Sequence, residues 1–589
     1  MNKRYSKAGT ARAARGAVRR AHAVGATAAS AIDEDIRCAS PEADRGPGPA
    51  LRLASRVAPF LINLCALVLA AFLFAASFPN TVFDKGLPLL AWLAFAPVFW
   101  LTRRLSLISS IAWGALYGFL AYAIFNYWLG GFHPLAGLIV YIIYLVYMAL
   151  LFPLLKASAL FFPRRGYLVQ WLLWLAYEYL RTQGFLGYSY GISGYSQWEI
   201  LPLIQIASIF GVWGVSALVV FPSAMLGSAL RDGFWRGFGD TKRFFVAFCK
   251  RERLVLGLWL LALAGSLIYG FASPVDYSDA PMLRVALIQH NTDPWVGGLP
   301  AYRDNFNSLS RLSMEALAQE PKPELVVWSE TAFVPRIHWH LSYKEDISYF
   351  ELVTKLMRFL EAQDVPFVIG NHDARLELDE EDRPVQRDYN AVLLFERGVN
   401  TGIYRKLHLV PFTEHFPYGK QLPLVYAALE ASDTHFWDKG SELTVLEANG
   451  LRFGTPICFE DSFGYLSREW VRNGARLIVN LTNDAWAKSL PAQMQHMNMA
   501  VFRAVENRRS LVRATASGQT CAIDPNGRVL AMAEPFVEAQ LSVDVPLVDE
   551  ASLYTAYGDF LAKFFVAAAS LALALGAALA LARKMREKA

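Results

Sequence analysis

Long apolar stretches in series constrain this chain more than any other feature of its sequence. A helix needs about 20 mostly apolar residues to cross the hydrocarbon core of a bilayer. Eight stretches reach or approach that length, at residues 57–78, 87–101, 105–127, 138–162, 167–180, 206–230, 254–271 and 561–582. The second and fifth are short and could be tilted or re-entrant. A soluble protein can contain an apolar core helix, but this series predicts a multi-pass α-helical membrane bundle of about eight spans.

One part of the chain has a different character. Between residues 281 and 548, charged residues mix with apolar ones, and Gly and Pro recur as they do in globular domains. We therefore predict a flexible basic arm at residues 1–50, seven spans at 51–275, an inserted globular domain at 281–548, and the eighth span with a basic tail at 555–589.

The basic residues predict the orientation of these parts. Lys and Arg cluster at residues 103–104, 164–165, 231–253 and 583–588, as well as in the N-terminal arm. With eight spans, all these clusters fall on one face, and basic loops stay in the cytoplasm. We therefore expect both termini to be cytoplasmic and the globular domain to be extracytoplasmic. The arm has no apolar core beside it, so we interpret it as cytoplasmic and not as a cleaved signal.

Charge and cysteine content argue against several partners. The net charge is only +5, and its basic residues flank apolar stretches, which suits lipid headgroups better than nucleic acid. The five cysteines show neither a CxxC pair nor a Cys/His spacing typical of metal sites. We expect no metal, no other cofactor and no nucleic acid.

Short β-type and helical patterns alternate through the globular part, which predicts an α/β layered sandwich. The predicted strands lie at residues 284–289, 325–328, 366–370, 391–395, 452–457, 476–481 and 511–514. The predicted helices lie at 302–319, 349–362, 462–473 and 493–508. Reactive side chains in such folds collect at the ends of strands.

Three strand ends carry residues suited to nucleophilic catalysis. Glu330 follows the strand at 325–328, Lys406 and Glu414 lie in a second segment, and Cys458 follows a third strand. Only a thiolate attacks, and a free cysteine titrates near ~8.5, so a neighbouring ammonium would favour the reactive form. Lys406 could supply that charge and help hold an oxyanion, while Glu330 could take the thiol proton.

Each of these residues has a simpler interpretation. Cys458 and Cys521 could form a structural disulfide, although sequence cannot show the geometry that a disulfide requires. Glu330 and Lys406 taken singly would be surface charges, as most Glu and Lys residues are. The histidines at 408, 415 and 496 could suggest a Cys/His pair, but satisfied polar histidines are commoner.

Two charged residues stand in the fifth apolar stretch. Glu178 and Arg181 are three residues apart and so share a helix face. Charge at membrane depth is costly and indicates function. Either the two form an ion pair that closes the bundle, or they contact lipid headgroups.

The motifs around the three strand ends resemble those of the nitrilase superfamily, and the whole chain from residue 57 resembles its membrane-bound branch, the apolipoprotein N-acyltransferases. The segments that carry the resemblance are Trp328-Ser-Glu330, Tyr404 to Glu414, Pro456 to Glu460, Leu481 to Trp486, Gln495-His496, Arg503 to Asn507 and Arg513 to Gly518. The resemblance implies an αββα sandwich inserted before the last span. It implies that Glu330 is the general base, Lys406 the stabiliser of the intermediate and Cys458 the nucleophile, with Glu414 and Glu460 in support.

Three positions depart from the family pattern. Phe459 stands where tyrosine is common, which leaves a hydroxyl role there in question, and Thr413 replaces a glycine. Trp295 aligns only loosely with the family's Trp-containing loop, so its contact with substrate is a weaker expectation. Trp339 is a further candidate contact, since the apolar stretches 333–339 and 416–425 could form lids, although they could equally be ordinary hydrophobic loops that pack on the domain.

The resemblance also implies the reaction and its site. A fatty acyl chain would pass from a membrane phospholipid to Cys458 as a thioester, and then to the α-amine of an N-terminal diacylglyceryl cysteine on a lipoprotein. The expected location is the bacterial inner membrane, with the catalytic domain on the periplasmic side. Two alternatives are a membrane-tethered nitrilase-type amidase that passes the acyl group to water, and a non-catalytic lipid-binding or transport protein.

Overall fold

The structure is a computed structural model that describes residues 49–132, 134–230, 238–378, 381–431 and 436–588. It divides into a short unit ending at Leu64 and a large unit, Cys65–Ala589. The predicted arm lies outside the described residues except for its last two positions, as does the part of the basic loop from 231 to 237.

The membrane bundle contains eleven described helices between residues 49 and 272. They are α1 (Pro49–Ala76), α2 (Ala96–Arg104), α3 (Leu107–Phe125), α4 (Leu129–Phe132), α5 (Pro134–Phe161), α6 (Gly166–Leu180), α7 (Leu201–Ile204), α8 (Ala207–Phe210), α9 (Val212–Ala229), α10 (Phe238–Arg251) and α11 (Arg253–Ala272).

Six described helices are long and apolar enough to cross a bilayer, which confirms the membrane bundle. Their candidate spans are Val57–Ala76, Leu107–Phe125, Leu135–Phe161, Val212–Ala229, Arg253–Ala272 and Phe560–Lys588. Each coincides with one of the stretches that the sequence predicts.

The predicted number of eight spans is approximate, because the two short stretches form shorter elements. The second becomes a 3₁₀ turn, Pro88–Trp92, followed by α2, which has a proline in its first turn. A proline at this position suits the start of a helix, because the N–H that it lacks would have no partner in the first turn. The fifth becomes α6, which has only 15 residues.

The inserted domain adds helices and two sheets. Its helices are α12 (Leu299–Leu317), α13 (Ile337–Tyr343), α14 (Ile347–Glu361), α15 (Pro423–Glu430), α16 (Gly464–Arg472) and α17 (Leu490–Asn507), and α18 (Leu553–Tyr557) and α19 (Phe560–Lys588) follow it. Its strands are β1 (Met282–Gln289), β2 (Leu325–Trp328), β3 (Phe367–Leu378), β4 (Pro384–Glu396), β5 (Val399–Arg405), β6 (Val445–Ala448), β7 (Leu451–Gly454), β8 (Leu477–Thr482), β9 (Ser510–Thr515), β10 (Cys521–Ile523), β11 (Val529–Met532) and β12 (Ala539–Pro546).

The strands form two six-stranded sheets that pack face to face. One has the order β12-β1-β2-β3-β4-β5 and the other β11-β10-β9-β8-β7-β6. Three neighbouring strands in each sheet are parallel, β1-β2-β3 and β7-β8-β9, and antiparallel strands flank them. Helices α12 and α14 cover the first sheet, and α16 and α17 cover the second. This arrangement confirms the predicted αββα sandwich.

Burial on both faces explains why the central strands are apolar throughout. Every residue of β2, the segment Leu-Val-Val-Trp, is buried, since helices cover one side of the sheet and the second sheet covers the other. On α14, Leu352, Val353, Leu356 and Leu360 form one buried stripe toward this core.

One of the two predicted lids is wrong. In the stretch 333–339, Phe333 and Ile337 are buried in the core cluster of the first sheet, and Ile337 begins α13. These side chains therefore support the fold and do not form an exposed flap. The other stretch, 416–425, does present apolar side chains to the outside, with Leu424 87% exposed.

Candidate active site

Three chain segments that leave the sheets bring Glu330, Lys406 and Cys458 to one place. Glu330 lies two residues beyond β2, Lys406 follows β5 directly, and Cys458 begins a 3₁₀ turn after β7. The first two come from one sheet and the third from the other. The site thus forms where the two sheets meet.

A close approach between backbones positions Glu330. A Cβ atom on Gly370 of β3 would lie 2.3 Å from the carbonyl oxygen of Ser329 and 2.7 Å from Cα of Glu330, so only glycine fits. Asn390 of β4 donates a hydrogen bond of 2.8 Å to Oε1 of Glu330. The other oxygen, Oε2, is buried and has no hydrogen-bond partner among the described residues. It is therefore free to accept a proton.

Lys406 lies between two carboxylates in the interior. Its Nζ atom donates to Oε1 of Glu414 at 2.8 Å and to Oε1 of Glu330 at 3.4 Å. Burial acts to lower the pKa of Lys406, but the charges of Glu414 and Glu330 outweigh it and raise the pKa. The side chain therefore stays an ammonium.

Glu460 ties the segment of the lysine to the segment of the nucleophile. Its Oε1 atom accepts hydrogen bonds from the Tyr404 hydroxyl and from the backbone N–H groups of Leu407 and His408, at 2.8 to 2.9 Å. Its Oε2 atom accepts from the backbone N–H of Ile457 at 2.9 Å. Burial nevertheless raises the pKa of Glu460 to about 7.

Cys458 is held in an unusual backbone conformation. Its φ angle is +49°, in the left-handed region that residues with a side chain rarely adopt. Its side chain is partly accessible, and both Cys458 and Cys521 are free thiols, which rules out the disulfide between them in this structure. A strand followed by a sharp turn presents the sulfur at the surface of the site.

The Cys458 thiol is neutral at rest. Burial raises its pKa, the charge of Glu330 raises it further, and the charge of Lys406 acts in the opposite direction without prevailing. Lys406 therefore acts on the pKa of Cys458 in the predicted direction, but its effect is smaller than that of burial. Attack requires a base, and the unpaired oxygen of Glu330 is suited to that role.

A cluster of four charged residues beside the nucleophile was not predicted as a unit. His496 contacts Asp461 through Nε2 and Asp484 through Nδ1, each at 2.8 Å, and Arg513 pairs with both carboxylates. Burial lowers the pKa of His496, but the two carboxylates raise it to about 9 overall. The available signal was an Asp three positions after Cys458 and an Arg inside an otherwise apolar strand.

Aromatic rings surround the residue that follows the nucleophile. Phe459 is buried, and its ring centroid lies 5.0 Å from that of Phe463, 6.0 Å from that of His408 and 6.4 Å from that of Tyr188. Tyr188 belongs to the bundle, so the membrane part contributes directly to the surroundings of the site.

The remaining predicted contact residues lie in varied surroundings. Trp295 is 53% exposed, with its ring centroid 4.9 Å from that of Trp486, whereas Trp339 is buried and donates its indole N–H to Glu345. Glu178 and Arg181 are enclosed in the bundle, 1% and 3% exposed. Contact of any of these residues with substrate stays a prediction. Among the described residues, no group of His, Cys, Asp and Glu has the arrangement of a metal site.

Comparisons with known proteins place both parts of the chain in one family. The family model described as carbon-nitrogen hydrolase matches residues 284–554, and the model described as apolipoprotein N-acyltransferase N-terminal domain matches residues 70–225. Apolipoprotein N-acyltransferase 1 of Treponema denticola is 46% identical over 85% of this chain and 94% of its own length. The protein of the same name from Treponema pallidum is 46% identical over 89% of this chain and 96% of its own. The apolipoprotein N-acyltransferase of Geobacter metallireducens is 34% identical over 86% and 94%.

Proposed function

This chain belongs to the apolipoprotein N-acyltransferase family, and we propose that it transfers its acyl group through a thioester on Cys458. It is an acyltransferase of lipoprotein N-acylation. Glu330, Lys406 and Cys458 carry the reaction, a membrane phospholipid is the acyl donor, a diacylglyceryl lipoprotein is the acceptor, and the reaction takes place on the periplasmic side of the membrane.

In the first half-reaction, the Cys458 sulfur attacks an ester carbonyl of a phospholipid. Glu330 takes the thiol proton, the C–S bond forms, and the negative charge on the carbonyl oxygen is stabilised by the Lys406 ammonium. The ester C–O bond then breaks, and Glu330 returns the proton to the departing oxygen. The products are a lysophospholipid and the acyl-enzyme.

In the second half-reaction, the α-amine of an N-terminal diacylglyceryl cysteine attacks the thioester. Glu330 takes a proton from the attacking nitrogen, the C–N bond forms, and the C–S bond breaks. The sulfur leaves and regains the proton from Glu330. The products are an N-acylated lipoprotein and the free thiol, so the enzyme is ready for another phospholipid.

The architecture supports lipid substrates. The phospholipid donor and the lipoprotein acceptor are both held in the bilayer. Because the domain is joined to the membrane bundle, lateral diffusion can bring both substrates to it. The basic loops and tail favour a cytoplasmic location for both termini and a periplasmic location for the domain in the bacterial inner membrane. Exposed apolar residues around α15, such as Leu422 and Leu424, are suited to contact with the lipid surface.

One observation carries the proposal. A buried lysine held between two carboxylates lies in a site with a free cysteine and an unpaired carboxylate oxygen, and the described residues include six candidate spans. Cys458 provides the nucleophile, Glu330 the base, and Lys406 the cation that stabilises an oxyanion. The membrane bundle keeps this site beside its lipid substrates.

The test is to weigh the intact purified protein after incubation with a phospholipid of defined chain length. We expect an added mass of one acyl chain, its release by hydroxylamine, and its absence from Cys458→Ala. Cys521→Ala is the matched control, because Cys521 is a free buried thiol of the same domain and should not affect the adduct.

Other results would identify the alternatives. Rapid release of fatty acid in the absence of any acceptor, without an adduct, would indicate a hydrolase. Neither adduct nor release would indicate a lipid-binding protein. An adduct that survives in Cys458→Ala would overturn the assignment of the nucleophile.

A further inference from the structure

The second half of the loop that follows α6, residues 181–193, is held by two charged residues at the end of that helix. Arg181 donates through Nη1 to the backbone carbonyls of Tyr188, at 3.0 Å, and Tyr190, at 2.9 Å. Glu178 accepts hydrogen bonds from the backbone N–H and the hydroxyl of Ser193. Because these four contacts are enclosed, the loop has a defined position on the bundle.

A glycine in the same loop allows close packing. Gly191 has φ +80°, and a Cβ atom there would lie 2.8 Å from the ring of Phe74 and 3.0 Å from the ring of Phe125. The backbone on either side is therefore pressed against the helices behind it, and the tyrosine rings have little freedom to withdraw from the domain.

The two tyrosine rings of the loop meet the catalytic segments. Tyr188 and Tyr190 stack on each other, with ring centroids 4.9 Å apart and planes inclined by 19°. Tyr188 lies 6.4 Å from Phe459, the neighbour of the nucleophile, and Tyr190 lies 6.1 Å from His496. Two aromatic rings supplied by the membrane part thus lie next to residues that neighbour Cys458.

The Tyr190 hydroxyl is available to a bound molecule. Tyr190 makes ring contacts with Trp128, Tyr188 and His496, but its hydroxyl has no hydrogen-bond partner in the described parts of the chain. Burial raises the pKa of Tyr190, and the charges of Asp484, Cys458 and Asp461 raise it further. The phenol therefore remains a neutral donor at any working pH, within electrostatic range of the nucleophile.

Resting on the proposed acyl transfer, we propose that Tyr190 is a substrate-binding residue supplied by the membrane bundle, whose hydroxyl donates a hydrogen bond to an oxygen of the acyl ester bound at Cys458. Arg181 is its positioning residue, because it holds the Tyr190 carbonyl and the stacked Tyr188 in place. This assigns to Arg181 a role inside the bundle in place of contact with a headgroup.

The decisive experiment measures how fast the full-length protein forms its acyl-enzyme with phospholipid in a single turnover. Tyr190→Phe removes only the hydroxyl, and we expect acyl-enzyme formation to slow about tenfold with unchanged thermal unfolding, as for one lost hydrogen bond. Tyr177→Phe is the matched control, since the Tyr177 hydroxyl is enclosed in the bundle and its loss should leave the rate unchanged.

A Tyr190→Phe protein that acylates at the wild-type rate would overturn the inference and leave the proposed function intact. A wild-type protein that forms no adduct would overturn the proposed function and the inference together, so the two failures are distinguishable.

The role of Arg181 is tested by a double-mutant cycle. Arg181→Lys should slow acylation in the wild-type background and have much less effect when Tyr190 is already Phe, because both changes act on one contact. If Arg181→Lys slows acylation by the same factor in both backgrounds, Arg181 does not act through Tyr190 and the positioning role is overturned. If Arg181→Lys does not yield folded protein, Tyr190→Phe alone decides the inference on the hydroxyl.

Discussion

The ammonium of Lys406 lies 2.8 Å from Oε1 of Glu414, closer than to any other carboxylate oxygen that it contacts. Glu414 in turn accepts a hydrogen bond from the backbone N–H of Val410 through its second oxygen. This carboxylate therefore both orients the lysine and holds the backbone at Val410.

We expect Glu414→Gln to reduce acyl-enzyme formation about 100-fold. The substitution keeps the shape of the side chain but removes the closest negative charge from a buried ammonium, and breaking a buried pair costs about 3–5 kcal/mol. The measurement is the single-turnover rate by intact mass. Glu447→Gln, at an exposed position on β6, is the control and should behave as wild type. An active Glu414→Gln protein would show that Glu330 suffices to hold the lysine.

Glu460 gives a second prediction, because its two oxygens accept hydrogen bonds from four donors. In Glu460→Gln the amide nitrogen must face at least one of these donors, which loses its acceptor at a cost of about 1–3 kcal/mol. We expect a lower melting temperature and acylation slowed by more than about tenfold. Glu469→Gln, a surface residue, should change neither. Wild-type behaviour of Glu460→Gln would indicate that the lysine and cysteine segments are held independently.

The sequence predicted the central part of the fold because its signals are local. The seven predicted strands and four predicted helices are all present, since apolar runs and turn residues define them without reference to the rest of the chain. The five strands that it did not predict, β5, β6, β10, β11 and β12, lie toward the sheet edges. Strand β12 pairs with β1, which lies about 250 residues earlier, and no local pattern indicates such a partner.

The site was predictable in its residue types but not in its electrostatics. The three strand ends point to Glu330, Lys406 and Cys458. Whether the pKa of Cys458 is raised or lowered depends, however, on its burial and on its distances to charged groups of the other sheet. The approach of Tyr188 and Tyr190 could not be read from the sequence either, because it depends on how a loop of the bundle packs against a distant domain.

The raised pKa of His496 leads us to expect that the stability of the folded protein depends on pH. Its pKa is raised to about 9 in the folded protein from an ordinary value near 6.5, so the folded state binds the proton more tightly than the unfolded state does. The stabilisation is fully present below pH 6.5 and is lost as the pH rises through 9. The melting temperature of wild type in detergent should therefore fall over this range more steeply than that of His496→Gln.

The control for this comparison is His415→Gln. The pKa of His415 is lowered, so its proton is lost below pH 6.5, and the variant should keep the wild-type slope between 6.5 and 9. Groups common to all three proteins, such as Glu460, cancel in the comparison. Parallel slopes for wild type and His496→Gln would show that His496 is not protonated in the folded protein.

The exposed helix α15 leads to the last prediction. Leu424 is 87% exposed and stands beside Leu422 and Val425, which are also exposed. A contiguous apolar surface of this kind on a membrane-bound enzyme is suited to contact with lipid. We expect Leu424→Glu to slow acylation by bilayer phospholipid about tenfold, because a charge replaces the apolar contact, and to leave the reaction with a short-chain soluble ester unchanged. Thermal unfolding should not change, since the Leu424 side chain is almost fully exposed.

The control is Leu378→Glu, at an exposed leucine of β3, which should have no effect on the reaction with either substrate. Equal losses with both substrates would mean that α15 supports the site structurally and does not meet the bilayer.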